Sequence, residues 1–153
     1  MEFPAILFSP IPCSGLYFPV QTPMLNSYLV VMAGGALGSA ARMWLSLWCA
    51  MRFGEMFPVG TLVVNALGCL VIGIFSALTG PDGVIMTSPL LRQFVMIGVL
   101  GGFTTFSSFG LQTINLMNDG EWLYGVLNVL LSVAVCLAFV WLGIILASSL
   151  THK

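Results

Sequence analysis

Four apolar windows, at Tyr28–Met51, Pro58–Leu78, Leu90–Met117 and Leu123–Leu150, fix the fold class before any motif is considered. Each meets the roughly 17–25 mostly apolar residues that a helix needs to cross a bilayer. Between them lie Arg52-Phe53-Gly54-Glu55, Gly80-Pro81-Asp82-Gly83 and Asn118-Asp119-Gly120-Glu121, which combine charge with turn formers. Charged residues make up 6% of the 153 positions, where a soluble domain carries about 25%. The chain therefore reads as an all-α membrane protein with four transmembrane helices and almost nothing outside the bilayer. The third and fourth windows are too long for straight perpendicular helices, so each tilts or is interrupted.

Residues 1–23 read differently. Five of the eight prolines fall there, with no basic start and no uninterrupted apolar run, so the segment is a poor signal peptide. Met24 leads directly into the first span and is the expected functional start, leaving 1–23 as an extension and 24–153 as the transmembrane domain. The alternative is a short ordered or interfacial segment. Cys13, Cys49, Cys69 and Cys136 show no paired or metal-type spacing and read as small apolar packing residues. The single His152 cannot build a metal site alone.

Topology follows the excess of Lys and Arg in cytoplasmic loops. Here Arg92 and Lys153 fall on one side, Arg52 and Arg42 on the other. A chain with so little bias either inserts both ways or keeps one orientation through a weak preference; both readings stand. Small residues recur in the spans, at Gly34, Gly35 and Gly38, at Gly60, Gly68 and Gly73, and in Gly98-x-x-x-Gly102. Such spacing lets helix backbones approach closely, within one chain or between two.

Polar groups inside spans are costly and point to function. Thr61 and Asn65 share a face of the second span, and Tyr124, Asn128 and Ser132 recur every four residues in the fourth. In the third, Phe106 and Phe109 share a face among the hydroxyls of Thr104, Thr105, Ser107 and Ser108. Any one of these residues reads best as glue between helices; three aligned sets read as a polar track. The second to fourth spans hold no Asp, Glu, Lys or His in their interiors, so proton exchange with a cationic substrate is excluded. There is no P-loop and no catalytic constellation, and the chain is not expected to be an enzyme. Neutral donors and the electropositive edges of aromatic rings replace part of a small anion's hydration without binding it deeply. The chemistry predicts a passive anion pathway.

At these residues the chain resembles the Fluc-type fluoride channels, the CrcB family. Gly34-Gly35-Ala36-Leu37-Gly38-Ser39-Ala40-Ala41-Arg42 is similar to the family's glycine-rich first-span motif, and Gly60 through Gly68 to its second-span motif. Gly98 through Phe109 resembles the GxxGGxTTFSTF signature, with Ser108 where threonine is common. The resemblance implies an antiparallel, dual-topology homodimer in the bacterial inner membrane, with two fluoride pores lined by both subunits and no nucleic-acid partner. It implies that Phe106 and Phe109 present ring edges to the anion and that Asn65 points its amide into the pore. Thr61, Ser108, Tyr124 and Ser132 would belong to the polar track, with Asn128 in place of the more usual serine. It implies a third helix broken mid-membrane near Gly101–Thr104, with the carbonyls of Gly101 and Thr104 from both subunits holding a structural sodium ion. Arg42 would add positive potential at the vestibule, or else snorkel as a helix-end residue. An inside-negative potential, worth about 2.3 kcal/mol per charge per 100 mV, drives an anion outward, so a passive channel suffices to clear fluoride that entered as HF. The rival readings are a small four-helix multidrug exporter, which would need an embedded carboxylate, and a non-transporting structural subunit.

Overall fold

The computed structural model describes residues 24–54, 56–80 and 83–151. The proline-rich segment 1–23, Cys13, His152 and Lys153 lie outside the described residues, as does the expectation that Met24 is the start. Among the described residues, four stretches are long and apolar enough to cross a membrane: Met24–Phe53, Val59–Thr79, Pro89–Asn118 and Trp122–Ser149. The first two are the continuous helices α1 (Met24–Phe53) and α2 (Val59–Thr79). The last belongs to α6 (Trp122–Thr151), whose 30 residues run without interruption. At 1.5 Å per residue such a helix is about 45 Å long. It exceeds a hydrocarbon core of about 30 Å, so its length is accommodated by tilt or by turns beyond the core.

The third span is interrupted. It opens with the single turn α3 (Pro89–Arg92), started by a proline at its first position and a Ser88 hydroxyl that accepts from the Leu91 amide at 3.2 Å. It continues as a π-helical segment, Gln93–Val99, and then α4 (Leu100–Phe103). Two extended residues follow, Thr104 at φ −76°, ψ 156° and Thr105 at φ −150°, ψ 110°, before α5 (Phe106–Asn118) begins. The helix break predicted near Gly101–Thr104 thus falls at Thr104 and Thr105, and Gly101 and Gly102 are themselves helical. Threonine hydroxyls make this possible. Thr104 directs both its amide and its Oγ1 to the Leu100 carbonyl, each at 2.9 Å. Thr105 Oγ1 caps α5 by accepting from the Ser108 amide at 3.2 Å.

The glycines serve close approach. A Cβ at Gly34 would lie 2.6 Å from the Phe94 carbonyl, and one at Gly102 would lie 2.6 Å from the Gly35 carbonyl. One at Gly38 would collide with the Val99 carbonyl. Glycine faces of α1 and the third span are therefore in backbone contact, reinforced by Ser39 Oγ donating to the Gly102 carbonyl at 3.4 Å. Gly73 and Gly143 do the same for α2 and α6, where an added Cβ would strike the Val140 and Leu70 carbonyls respectively. Arg92 ties the start of the third span to the end of α2, its Nη1 donating to the Thr79 carbonyl at 2.6 Å. That is a cation on the negative end of a helix. After α5, Gly120 takes φ 86° while its amide donates to the Met117 carbonyl and the Glu121 amide to the Leu116 carbonyl. These two bonds form a Schellman turn, which favours glycine at that position.

Candidate functional site

The break in the third span faces a cavity of about 340 Å³ between α2, α6 and the third span. Asn65, Gly101, Thr104, Thr105, Phe106, Phe109 and Ser132 all line it, and among the described residues no Asp, Glu, Lys, Arg or His does. Two of its lining residues form a reciprocal pair: the Thr105 amide donates to Asn65 Oδ1 at 2.7 Å, and Asn65 Nδ2 donates to the Thr105 carbonyl at 3.1 Å. A side-chain amide here replaces the helical bonds that the extended residues have given up. Leaving such groups unsatisfied in a bilayer costs several kcal/mol each.

The same rearrangement changes what the carbonyls of Gly101 and Thr104 have to bond with. In a continuous helix the Thr105 amide would serve the Gly101 carbonyl and the Ser108 amide the Thr104 carbonyl. The first donates instead to Asn65 and the second to the Thr105 hydroxyl. Gly101 is exposed, and a Cβ built on it would meet nothing nearer than the Met96 carbonyl at 3.8 Å.

Phe106 and Phe109 project from the first turn of α5 with ring centroids 5.2 Å apart and planes tilted by 48°. Their environments differ sharply, since Phe106 is 82% exposed in the single chain and Phe109 only 8%. The Thr105 hydroxyl donates to Ser108 Oγ at 2.9 Å, placing the Ser108 hydroxyl beside the cap. Asn128 is 2% exposed, and its Nδ2 donates to Thr113 Oγ1 at 2.8 Å. Thr113 in turn donates to the Phe109 carbonyl at 2.8 Å, and Ser132 Oγ reaches Asn128 Oδ1 at 3.5 Å. The fourth-span row is thus wired to the backbone of Phe109.

Not every predicted residue joins this group. Thr61 shares a face with Asn65 but lines a second cavity of about 570 Å³, with Gln112, Asn115, Asp119 and Glu121. Tyr124 stands edge-on to Phe57, a residue of that second cavity, with centroids 6.3 Å apart. Arg42 is half-buried on α1 and lines neither cavity. Thr113 was not a candidate in the sequence, although it continues the Phe106, Phe109 face at the next turn. Gln93 and Gln112, each with a buried side-chain oxygen lacking a partner, were also missed. Cys69 and Cys136, read as packing residues, both line the cavity wall. Their separation along the chain gives no such sign.

Residues 29–144 match the sequence family described as CrcB-like protein, Camphor Resistance (CrcB). A relative from Rhodospirillum rubrum is 56% identical over 117 residues, which is 76% of this chain and 91% of the relative. One from Opitutus terrae is 52% identical over 126 residues, 82% of this chain and 96% of the relative. One from Methylocella silvestris is 49% identical over 125 residues, 82% of this chain and 95% of the relative. All three are named fluoride-specific ion channel FluC.

Proposed function

Because this chain belongs to the CrcB-like protein family, we propose that it is a passive, fluoride-specific channel that lets cytoplasmic fluoride leave across the bacterial inner membrane. The observation that carries the reading is the cavity at the helix break. Two phenylalanine rings, the Asn65 amide and the hydroxyls of Thr104, Thr105 and Ser132 line it beside apolar side chains, and among the described residues no ionisable oxygen or nitrogen group does. A small anion entering such a site exchanges hydration for ring edges and hydroxyl donors, and nothing there holds it permanently. Phe106 and Phe109 form the wall nearest the ion, while Ser108 and Ser132 supply hydroxyls. Thr61 and Tyr124 extend the polar path toward the second cavity. Asn65 sets the shape of the break through Thr105 and presents its amide at the cavity edge. Arg42 contributes long-range positive potential from α1.

The functional unit in this reading is an antiparallel homodimer of oppositely inserted copies. Support comes from the near-even distribution of Arg and Lys and from the exposure of Phe106, a residue the single chain leaves 82% uncovered. The carbonyls of Gly101 and Thr104, relieved of their helical donors, suit a hard cation, and sodium bound between the two breaks would add a fixed positive charge at the interface. Gly101 offers the open approach such a ligand needs.

Fluoride efflux from liposomes containing only this chain tests the reading. Efflux is expected to be fast and electrogenic, with chloride excluded. Phe106→Ile and Phe109→Ile should each slow it sharply while leaving a folded protein. Undiminished flux in both variants would falsify the assignment of these rings to the pore.

A further inference from the structure

Cys69 on α2 and Cys136 on α6 have no role in the site as described. Both are half-buried free thiols, and both line the cavity of about 340 Å³. Each continues a polar row by one turn, Cys69 lying four residues after Asn65 and Cys136 four after Ser132. The backbone contacts at Gly73 and Gly143 lock α2 against α6 nearby, so the two sulfurs are held in register. Around them the wall is apolar, with Ile72, Leu100 and Val133.

We propose that Cys69 and Cys136 form a dithiol site for neutral trivalent arsenicals, opening onto the cavity beside Phe106 and Phe109. The chemistry balances without any redox partner. Two S–As bonds form, and the two thiol protons leave with the oxygen of an R–As=O reagent as one molecule of water. Neutral reactants give a neutral product, which suits a site where a separated charge would be costly. A simple metal cation fits less well, since among the described residues no group of three or more His, Cys, Asp or Glu stands together. Two thiols on one cavity wall, held in register by the Gly73 and Gly143 contacts, close a ring on one arsenic atom and tie α2 to α6. A single thiol gives only an open adduct, which an excess of soluble monothiol reverses.

Phenylarsine oxide added to the full chain in detergent tests this, with Cys13→Ser and Cys49→Ser combined as the background and intact mass as the readout. The expected result is one phenylarsenic group per chain, retained in excess glutathione and removed by 2,3-dimercaptopropanol. It should be absent when Cys69→Ala or Cys136→Ala is added. Failure to form a glutathione-resistant adduct in the background, or its survival in either alanine variant, overturns the dithiol site. The adduct also places a phenyl ring in the cavity and is expected to abolish most fluoride efflux, a consequence that rests on the channel reading. Efflux before the reagent tests that reading by itself, and its absence leaves the mass result to decide the dithiol site. Efflux present beforehand and unchanged by a formed adduct overturns the placement of the site beside the ion path.

Discussion

At Asn65 one side chain takes over the hydrogen bonding of an interrupted helix, accepting from the Thr105 amide and donating to the Thr105 carbonyl. Asn65→Ala leaves the buried Thr105 amide without its acceptor, so the protein is expected to lose about 1–3 kcal/mol of stability. Thermal unfolding in detergent measures the loss, and fluoride efflux should fall with it because the break no longer holds its shape. The sequence made Asn65 conspicuous as an amide inside an apolar span, yet its partner could not be read from spacing. Thr105 is 40 positions away, and the pairing depends on an extended backbone that only the folded third span reveals. Asn128 is similar. Its four-residue rhythm with Tyr124 and Ser132 was visible, whereas Thr113, which anchors it to the Phe109 carbonyl, lies on another helix.

Among the helices, glycine spacing announced close packing but not which glycines bear it. Gly35 and Gly38 look equivalent in the first-span motif. A Cβ at Gly38 would run into the Val99 carbonyl, while one at Gly35 meets nothing within 4 Å. Gly38→Ala is therefore expected to destabilise the fold by about 1–3 kcal/mol through forced separation of α1 and the third span. Gly35→Ala should change the stability of the chain's own fold by no more than about 0.5 kcal/mol. Parallel denaturant titrations distinguish the two, and equal losses would refute the assignment of Gly38 to the contact. At the turn after α5, Gly120 holds a left-handed conformation. Gly120→Ala is expected to cost about 1–2 kcal/mol, the strain of that conformation for a residue with a Cβ. The turn itself was legible from Asn118-Asp119-Gly120-Glu121. Excess length left tilt or interruption open for the third and fourth spans alike, and of the two only the third is interrupted; its break sits at two threonines whose hydroxyls cap both sides of it.

For the whole molecule, hydropathy alone gave four spans, because a bilayer admits few alternatives to a helix that satisfies its own backbone. Arrangement of the copies is a different matter, since the charge count gives almost no direction. Tagged N-termini should be found on both faces of the membrane, and cross-linking should join copies of opposite orientation. N-termini confined to one face would refute the dual-topology dimer. Replacing sodium by a bulky organic cation during purification should weaken that dimer, read as a shift toward single chains on size exclusion.

Interrupting a membrane helix at Thr104 and Thr105 brings a C-terminal helix end and an N-terminal helix end together inside the bilayer. Each end carries about half an elementary charge, negative on the carbonyl side and positive on the amide side. The two fields arise from peptide groups, so acid cannot neutralise them and no protonation event switches them. Acidification is the condition under which a weak acid floods into a cell and ionises there. On the proposed reading of the break as the ion path, the polarity of its main chain stays the same through that challenge.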